Sequence, residues 1–162
     1  MSFDDVLRAN ESYAAGFDGG GLTGQAAKGL AVLTCIDTRI DPLGMLGLEP
    51  GDAKILRNAG ARVTDDVLRT LVLASYLLNV SRAMVIAHTN CRMVGGGDEE
   101  VHEAIAARGG PDTRSLEFRV TPDAERTLRE DVQRVRSSPY LAGLEVGGFV
   151  YDVRSGRVRQ VV

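Results

Sequence analysis

In the stretch VLTCIDTRIDP, residues 32–42, a cysteine, an aspartate and an arginine fall at alternate positions: Cys35, Asp37 and Arg39. Alternate residues of an extended chain point the same way. A thiol, a carboxylate and a guanidinium would therefore share one face where an apolar run ends. Further along, HTNC places His88 and Cys91 three residues apart, a common two-ligand hook for metals. Thiolates and imidazole are soft and borderline donors suited to zinc. Three protein donors, Cys35, His88 and Cys91, would leave a fourth zinc position for water, which marks a catalytic site. Two thiolates cancel the formal charge of Zn²⁺. The metal should then be a weaker Lewis acid than one held by three histidines, though its water would still ionise far more readily than bulk water. Asp37 could accept a hydrogen bond from that water. Arg39 could hold Asp37 ionised and in place through a two-point pair.

Taken singly, each residue has an ordinary role. Cys35 alone reads as a buried thiol packed as a small hydrophobe. A Cys35–Cys91 disulfide suits an oxidising compartment and not the cytosol. A structural zinc would need a fourth protein ligand. His102, the only other histidine, lies mid-helix eleven residues past Cys91. Asp37 itself could fill that position, which would be a closed resting form of the same site. Asp37 and Arg39 alone read as a surface ion pair, and Arg57 and Asn58 as shapers of the turn before Gly60. The glycines at 95–97 lack the lysine of a phosphate loop and read as a connector. His102 has a pKa suited to proton shuttling, yet reads as a helix-surface histidine with no role. Only the grouping of Cys35, His88 and Cys91, with Asp37 and Arg39 beside them, favours one zinc ion per chain.

These residues need a scaffold that brings distant segments together. Residues 29–35 form a continuous apolar run of strand length, read as a strand buried on both faces. Residues 52–61 read as a shorter strand running into a glycine turn, 81–91 as a third strand and 115–120 as a fourth. The closing LEVGGFVYDVRSGRVRQVV reads as a hairpin around Ser-Gly. Helices are expected at 3–15, at 64–79 with Thr64 as N-cap, and at 98–108 closed by Gly109. A further helix is expected at 121–138, with Thr121 as N-cap and Pro122 first. Strands alternating with helices predict an α/β fold. Its sheet would be mostly parallel, about four parallel strands plus an antiparallel edge strand, flanked by helices. Ligands in such sheets sit beyond the C-terminal strand ends where the strand order switches. If the first and third strands are neighbours, Cys35, His88 and Cys91 meet there. Residues 1–162 are expected to form a single domain, with 1–28 as an N-terminal helical arm and glycine-rich loop.

The totals narrow the partners. The chain has 162 residues, 44% apolar and 25% charged, as in an ordinary globular protein. A net charge of −3 and the absence of tryptophan argue against nucleic acid. The acidic N-terminus lacks the apolar region of an export signal, and no apolar run is long enough to cross a membrane. A cytoplasmic location with reduced cysteines is expected.

CIDTR, RNAGA and HTNC together, in this order and at these separations, resemble the β-class carbonic anhydrases, in their compact prokaryotic subgroup. The resemblance implies Zn²⁺ on Cys35, His88 and Cys91, a gating pair Asp37–Arg39, and a backbone amide at Gly60 that helps to polarise substrate. It implies reversible hydration of CO₂ to bicarbonate by zinc-bound hydroxide. Hydrolysis of carbonyl sulfide or carbon disulfide by the same site is the nearest alternative, and a non-catalytic bicarbonate-binding relative a second. It also implies a homodimer, often doubled to a tetramer, with the helix at 3–15 reaching across to the partner. Two positions depart from the family pattern. Arg92 stands where glycine is usual, and Asn90 where aspartate or glycine is common.

Overall fold

A computed structural model of the chain describes residues 2–162. Five strands lie in the order β2-β1-β3-β4-β5, where β1 is Leu30–Cys35, β2 Ala53–Asn58, β3 Arg82–His88, β4 Glu145–Tyr151 and β5 Val158–Gln160. The first four are parallel and β5 returns antiparallel along β4. This is the mostly parallel sheet with an antiparallel edge that the sequence predicts. All of β1 is buried, because it has a strand on each side. With a period of two, Ala31 and Leu33 face one layer while Leu30 and Val32 face the other.

Against the first face pack α2 (Asp65–Leu77) and α4 (Ala124–Arg136). Val67, Leu71 and Ala74 of α2 join Leu128, Val132 and Val135 of α4 over the sheet. Helix α2 starts as expected: Thr64 accepts the Val67 N–H, and Asp65 and Asp66 complement the helix dipole in the first turn. Arg134 of α4 reaches Asp65 and the Val63 carbonyl, which joins the two helices. On the opposite face Leu30, Val32 and Ile86 pack under Leu48 and the loop residues Leu43, Met45 and Leu46. Ile55, Met84, Phe149 and Tyr151 stay half-buried there. The N-terminal helix α1 (Asp4–Ala15) has no buried residue.

Two local expectations are corrected. Residues 115–120 alternate apolar and polar, yet form no strand; only an isolated bridge joins Val94 and Thr121. Arg119 adopts a left-handed conformation, φ 63°, which interrupts an extended run. The Asp98 carboxylate, at the start of α3 (Asp98–Ala106), takes the N–H groups of Phe118, Arg119 and Val120 that a sheet ladder would have used. The fourth parallel strand is β4, the first arm of the closing hairpin. It packs close under α4, since a Cβ at Gly148 would lie 2.6 Å from Val162 and 3.0 Å from Val132. The second correction concerns α4. Its N-cap is Asp123, which accepts the Arg126 N–H, and not Thr121. Thr121 instead shares a 2.6 Å hydrogen bond with the Thr127 hydroxyl.

From β1 the chain passes to β2 on one side and then to β3 on the other. The strand order therefore switches between β1 and β3, and a crevice opens beyond their C-terminal ends. Cys35 is the last residue of β1 and His88 the last of β3.

Candidate metal centre

At that crevice one ligand atom each from Cys35, His88 and Cys91 lie within 4.8 Å of one another, with the two sulfurs 4.0 Å apart. Cys35 and His88 are both buried. His102 is not in the group. It is also no surface histidine: it is buried on α3, its Nδ1 is 2.9 Å from the Thr113 hydroxyl, and its ring packs on Phe118.

His88 carries the first sign of a missing partner. Its Nδ1 donates to the Thr89 carbonyl at 3.0 Å, which leaves Nε2 as the free lone pair. That Nε2 is buried with no hydrogen-bond partner among the described residues. Burial lowers the pKa of the imidazole, which favours its neutral, metal-binding form. Burial also pushes the Cys91 thiol up to about 11, and the nearby Cys35 adds to the rise. A cation bound between the two sulfurs and the imidazole nitrogen would favour the thiolate form that ligates metals. Two sulfurs and one neutral nitrogen are a donor set that fits zinc, and they leave the fourth position to water. Each sulfur also accepts a backbone N–H, Cys35 from Gly60 at 3.3 Å and Cys91 from Met93 at 3.5 Å.

Asp37 lies just past the strand end, its Oδ2 4.0 Å from His88 Nε2. Arg39 grips it at two points: Nη2 donates to Oδ2 at 2.6 Å and Nε to Oδ1 at 2.8 Å. The Arg39 backbone N–H adds a third bond, to Oδ1 at 2.9 Å. The side-chain bond from Arg39, and then the backbone one, hold the Asp37 carboxyl well below the usual carboxylate range. It is therefore an acceptor only.

Residues beyond the chemical groups fix this geometry. Arg57 is more than a shaper of the turn before Gly60. Its Nε donates to the Cys35 carbonyl at 2.8 Å and its Nη2 to the Asp37 carbonyl at 2.7 Å, which clamps the segment carrying both groups. Asn58 closes the turn around Gly60 by accepting the Arg62 N–H and donating to the Arg62 carbonyl. Gly60 has φ +79° and a Cβ there would lie 3.1 Å from Met93, so glycine fits both the turn and the close approach. Neither clamp is visible in the sequence except as the bare RN before AGA. Asn90 has φ 55°. Aspartate and glycine share its tolerance of that left-handed conformation, which accounts for the departure at this position. Arg92 is exposed. A small, mostly apolar pocket bordered by Gly60, Ala87, Met93, Val94 and Leu128, with Thr121, Thr127 and the Arg62–Asp131 ion pair also in its wall, abuts His88 and Cys91.

Known proteins resemble the chain over nearly its whole length. The family model described as carbonic anhydrase matches residues 30–158. Beta-carbonic anhydrase 1 of Mycobacterium tuberculosis is 36% identical over 160 residues, covering 98% of this chain and 96% of that protein. The crystal structure of a carbonic anhydrase from Streptococcus mutans superposes with a TM-score of 0.92 at 36% identity, covering 100% of this chain and 99% of that one. A carbon disulfide hydrolase of Acidianus sp. is 29% identical over 155 residues, 81% of this chain and 76% of that protein.

Proposed function

Given that the chain belongs to the β-carbonic anhydrase family, we propose that it is a zinc lyase interconverting CO₂ and bicarbonate, with Cys35, His88 and Cys91 as its metal ligands. The observation that supports this most directly is the buried, unpartnered His88 Nε2 facing two sulfurs and an ionised Asp37. Zinc held there would supply a Lewis acid that makes water nucleophilic near neutral pH.

The chain's own residues do the rest. Asp37, held ionised by Arg39, can only accept a hydrogen bond. A reacting water that donates to it keeps a lone pair directed at the carbon of CO₂. Arg39 stays charged throughout and fixes the carboxylate by its fork. Gly60 gives its N–H to the Cys35 sulfur and borders the apolar pocket. Its proposed part is to steady that thiolate and, with the same N–H shared between the two, to help polarise a substrate oxygen in the pocket. The pocket walls suit a small linear apolar molecule and exclude bulk water around it.

Two further parts of the reading rest on the surface and the sulfurs. Helix α1 exposes Val6, Leu7 and Tyr13, with Phe3 exposed just before it, while one sheet face carries residues that are only partly buried. This supports self-association as a homodimer or a dimer of dimers. The two sulfurs proposed as ligands must stay reduced to hold a metal, which suits a reducing compartment and supports the cytoplasm. No described helix is long and apolar enough to cross a membrane.

The relative named as a carbon disulfide hydrolase favours a second reading, hydrolysis of carbonyl sulfide or carbon disulfide at the same site. All three molecules are linear and are attacked at carbon. Stopped-flow CO₂ hydration by metal-quantified protein, run beside sulfide release from carbonyl sulfide and carbon disulfide, decides between them. Rapid hydration with little sulfide is the expected result. Sulfide release without hydration overturns the first reading, and silence in both overturns the enzyme.

A further inference from the structure

The HTNC turn does more than deliver two ligands. Arg39 Nη2 has two hydrogens and two acceptors: Asp37 Oδ2 at 2.6 Å and the backbone carbonyl of Asn90 at 3.0 Å. The second acceptor belongs to a different strand end from Asp37. Among the described residues it is thus the one hydrogen bond that ties the Asp37–Arg39 pair to the segment carrying His88 and Cys91. A fork on a neighbouring carboxylate alone would let the two side chains swing together, and the Arg39 side chain is 41% exposed. A third point on a separate segment removes that freedom.

The turn itself is firmly seated. The Thr89 N–H donates to the Tyr151 carbonyl at 2.9 Å, and the Val153 N–H donates to the Thr89 hydroxyl at 3.1 Å. His88 donates to the Thr89 carbonyl from within the turn. Asn90 is exposed, so burial does not explain its identity. Its distinguishing feature is the left-handed φ of 55°, which carries the carbonyl toward Arg39. A β-branched residue strongly resists that conformation, whereas glycine adopts it freely.

We propose that Asn90 is a positioning residue, whose left-handed backbone aims its carbonyl at Arg39 and thereby holds the Asp37 carboxylate beside the metal centre. This rests on the proposed reaction for its kinetic consequence, but not for the contact itself.

A double-mutant cycle tests it. Asn90→Val, Asn90→Ala and Asn90→Gly are made in the wild-type chain and in Arg39→Gln. Metal per chain, thermal midpoint and CO₂ hydration kcat are measured for each. Asn90→Val should lower kcat about tenfold in the wild type and about twofold in Arg39→Gln. Its loss of midpoint should be about 2–4 °C smaller in the Arg39→Gln background. Asn90→Gly should stay within about twofold of wild-type kcat, which a role for the amide side chain would not allow. Equal losses in both backgrounds, or Asn90→Gly as damaging as Asn90→Val, would overturn the proposal. If Asn90→Val does not fold, Asn90→Ala carries the same comparison with smaller losses. If the protein hydrates no CO₂, the midpoint cycle still decides the contact, so the two readings fail separately.

Discussion

Cys35 and Cys91 stand 4.0 Å apart beside an imidazole nitrogen with no partner, so removing one sulfur removes a third of the donor set. A serine hydroxyl stays protonated near neutrality and is a poor substitute for thiolate. Cys35→Ser is expected to purify folded but without metal, as elemental analysis and far-UV circular dichroism would show. A full complement of zinc in that variant would refute the ligand assignment. Asp37 acts differently, because it lies 4.0 Å from the His88 nitrogen and is gripped by Arg39. Asp37→Ala should keep its metal and lose about 10²-fold in kcat; unchanged kcat would remove Asp37 from the reaction. At this scale the grouping of Cys35, His88 and Cys91 and the pairing of Asp37 with Arg39 are legible in the residues themselves. Cys35 and His88 each terminate an apolar run, Cys91 follows three residues after His88, and Asp37 and Arg39 are close enough in sequence to pair locally. The supports were not legible. Arg57 acts through carbonyls of a neighbouring strand, and Asn90 through a backbone angle, and neither leaves a mark in residue type or spacing.

Among the elements, the misjudged stretch is the informative one. Residues 115–120 have the alternation of a strand, and 145–151 contain two adjacent glycines that weaken one, yet the sheet takes the second. What decides is the partner surface. Gly147 and Gly148 leave room for the C-terminal residues and for α4 to lie close over β4, a tertiary demand that local pattern does not carry. The rejected segment is held instead by Asp98, whose two oxygens accept three backbone N–H groups. Asp98→Asn exchanges one acceptor for a donor and should destabilise by about 1–3 kcal/mol, lowering the thermal midpoint by about 2–4 °C per kcal/mol. The pH dependence follows in sign. The Asp98 carboxyl is held below its ordinary value, chiefly by the Val120 N–H and then by those of Phe118 and Arg119, with His102 adding slightly. Its contribution is therefore present above the unfolded carboxylate value of about 3.9 and is lost as pH falls through the lower folded one. The midpoint gap between wild type and Asp98→Asn should be widest near neutrality and close on acidification; a gap indifferent to pH would show that charge at Asp98 plays no part.

For the whole molecule, the unbalanced surfaces matter most. Helix α1 has 12 residues and none buried, and a helix of that length is marginal in water without something to pack on. Val6, Leu7 and Tyr13 along it are exposed, as are Phe3 and Phe17 just beyond its two ends, and Phe3 is 77% exposed. The sheet meanwhile leaves Ile55, Met84, Phe149 and Tyr151 only half covered beneath a loop. Within one chain these two apolar surfaces are both unfinished, and a second copy would supply each with what it lacks. A stable pairing of this kind should bury at least about 1,200 Å² in total. Sedimentation velocity of the wild-type protein should therefore show a dimer or tetramer and no appreciable monomer. Replacing Val6 and Leu7 together by aspartate puts two charges on the apolar stripe and should shift the population to monomer at micromolar concentration. A wild-type protein that sediments as a monomer, or a doubly substituted one that stays assembled, would mean that α1 does not seat on a second copy. Zinc content read on the same samples separates assembly from the site: the three proposed ligands come from β1, β3 and the turn after β3 of one chain, so the dissociated variant should keep its metal even where its rate falls.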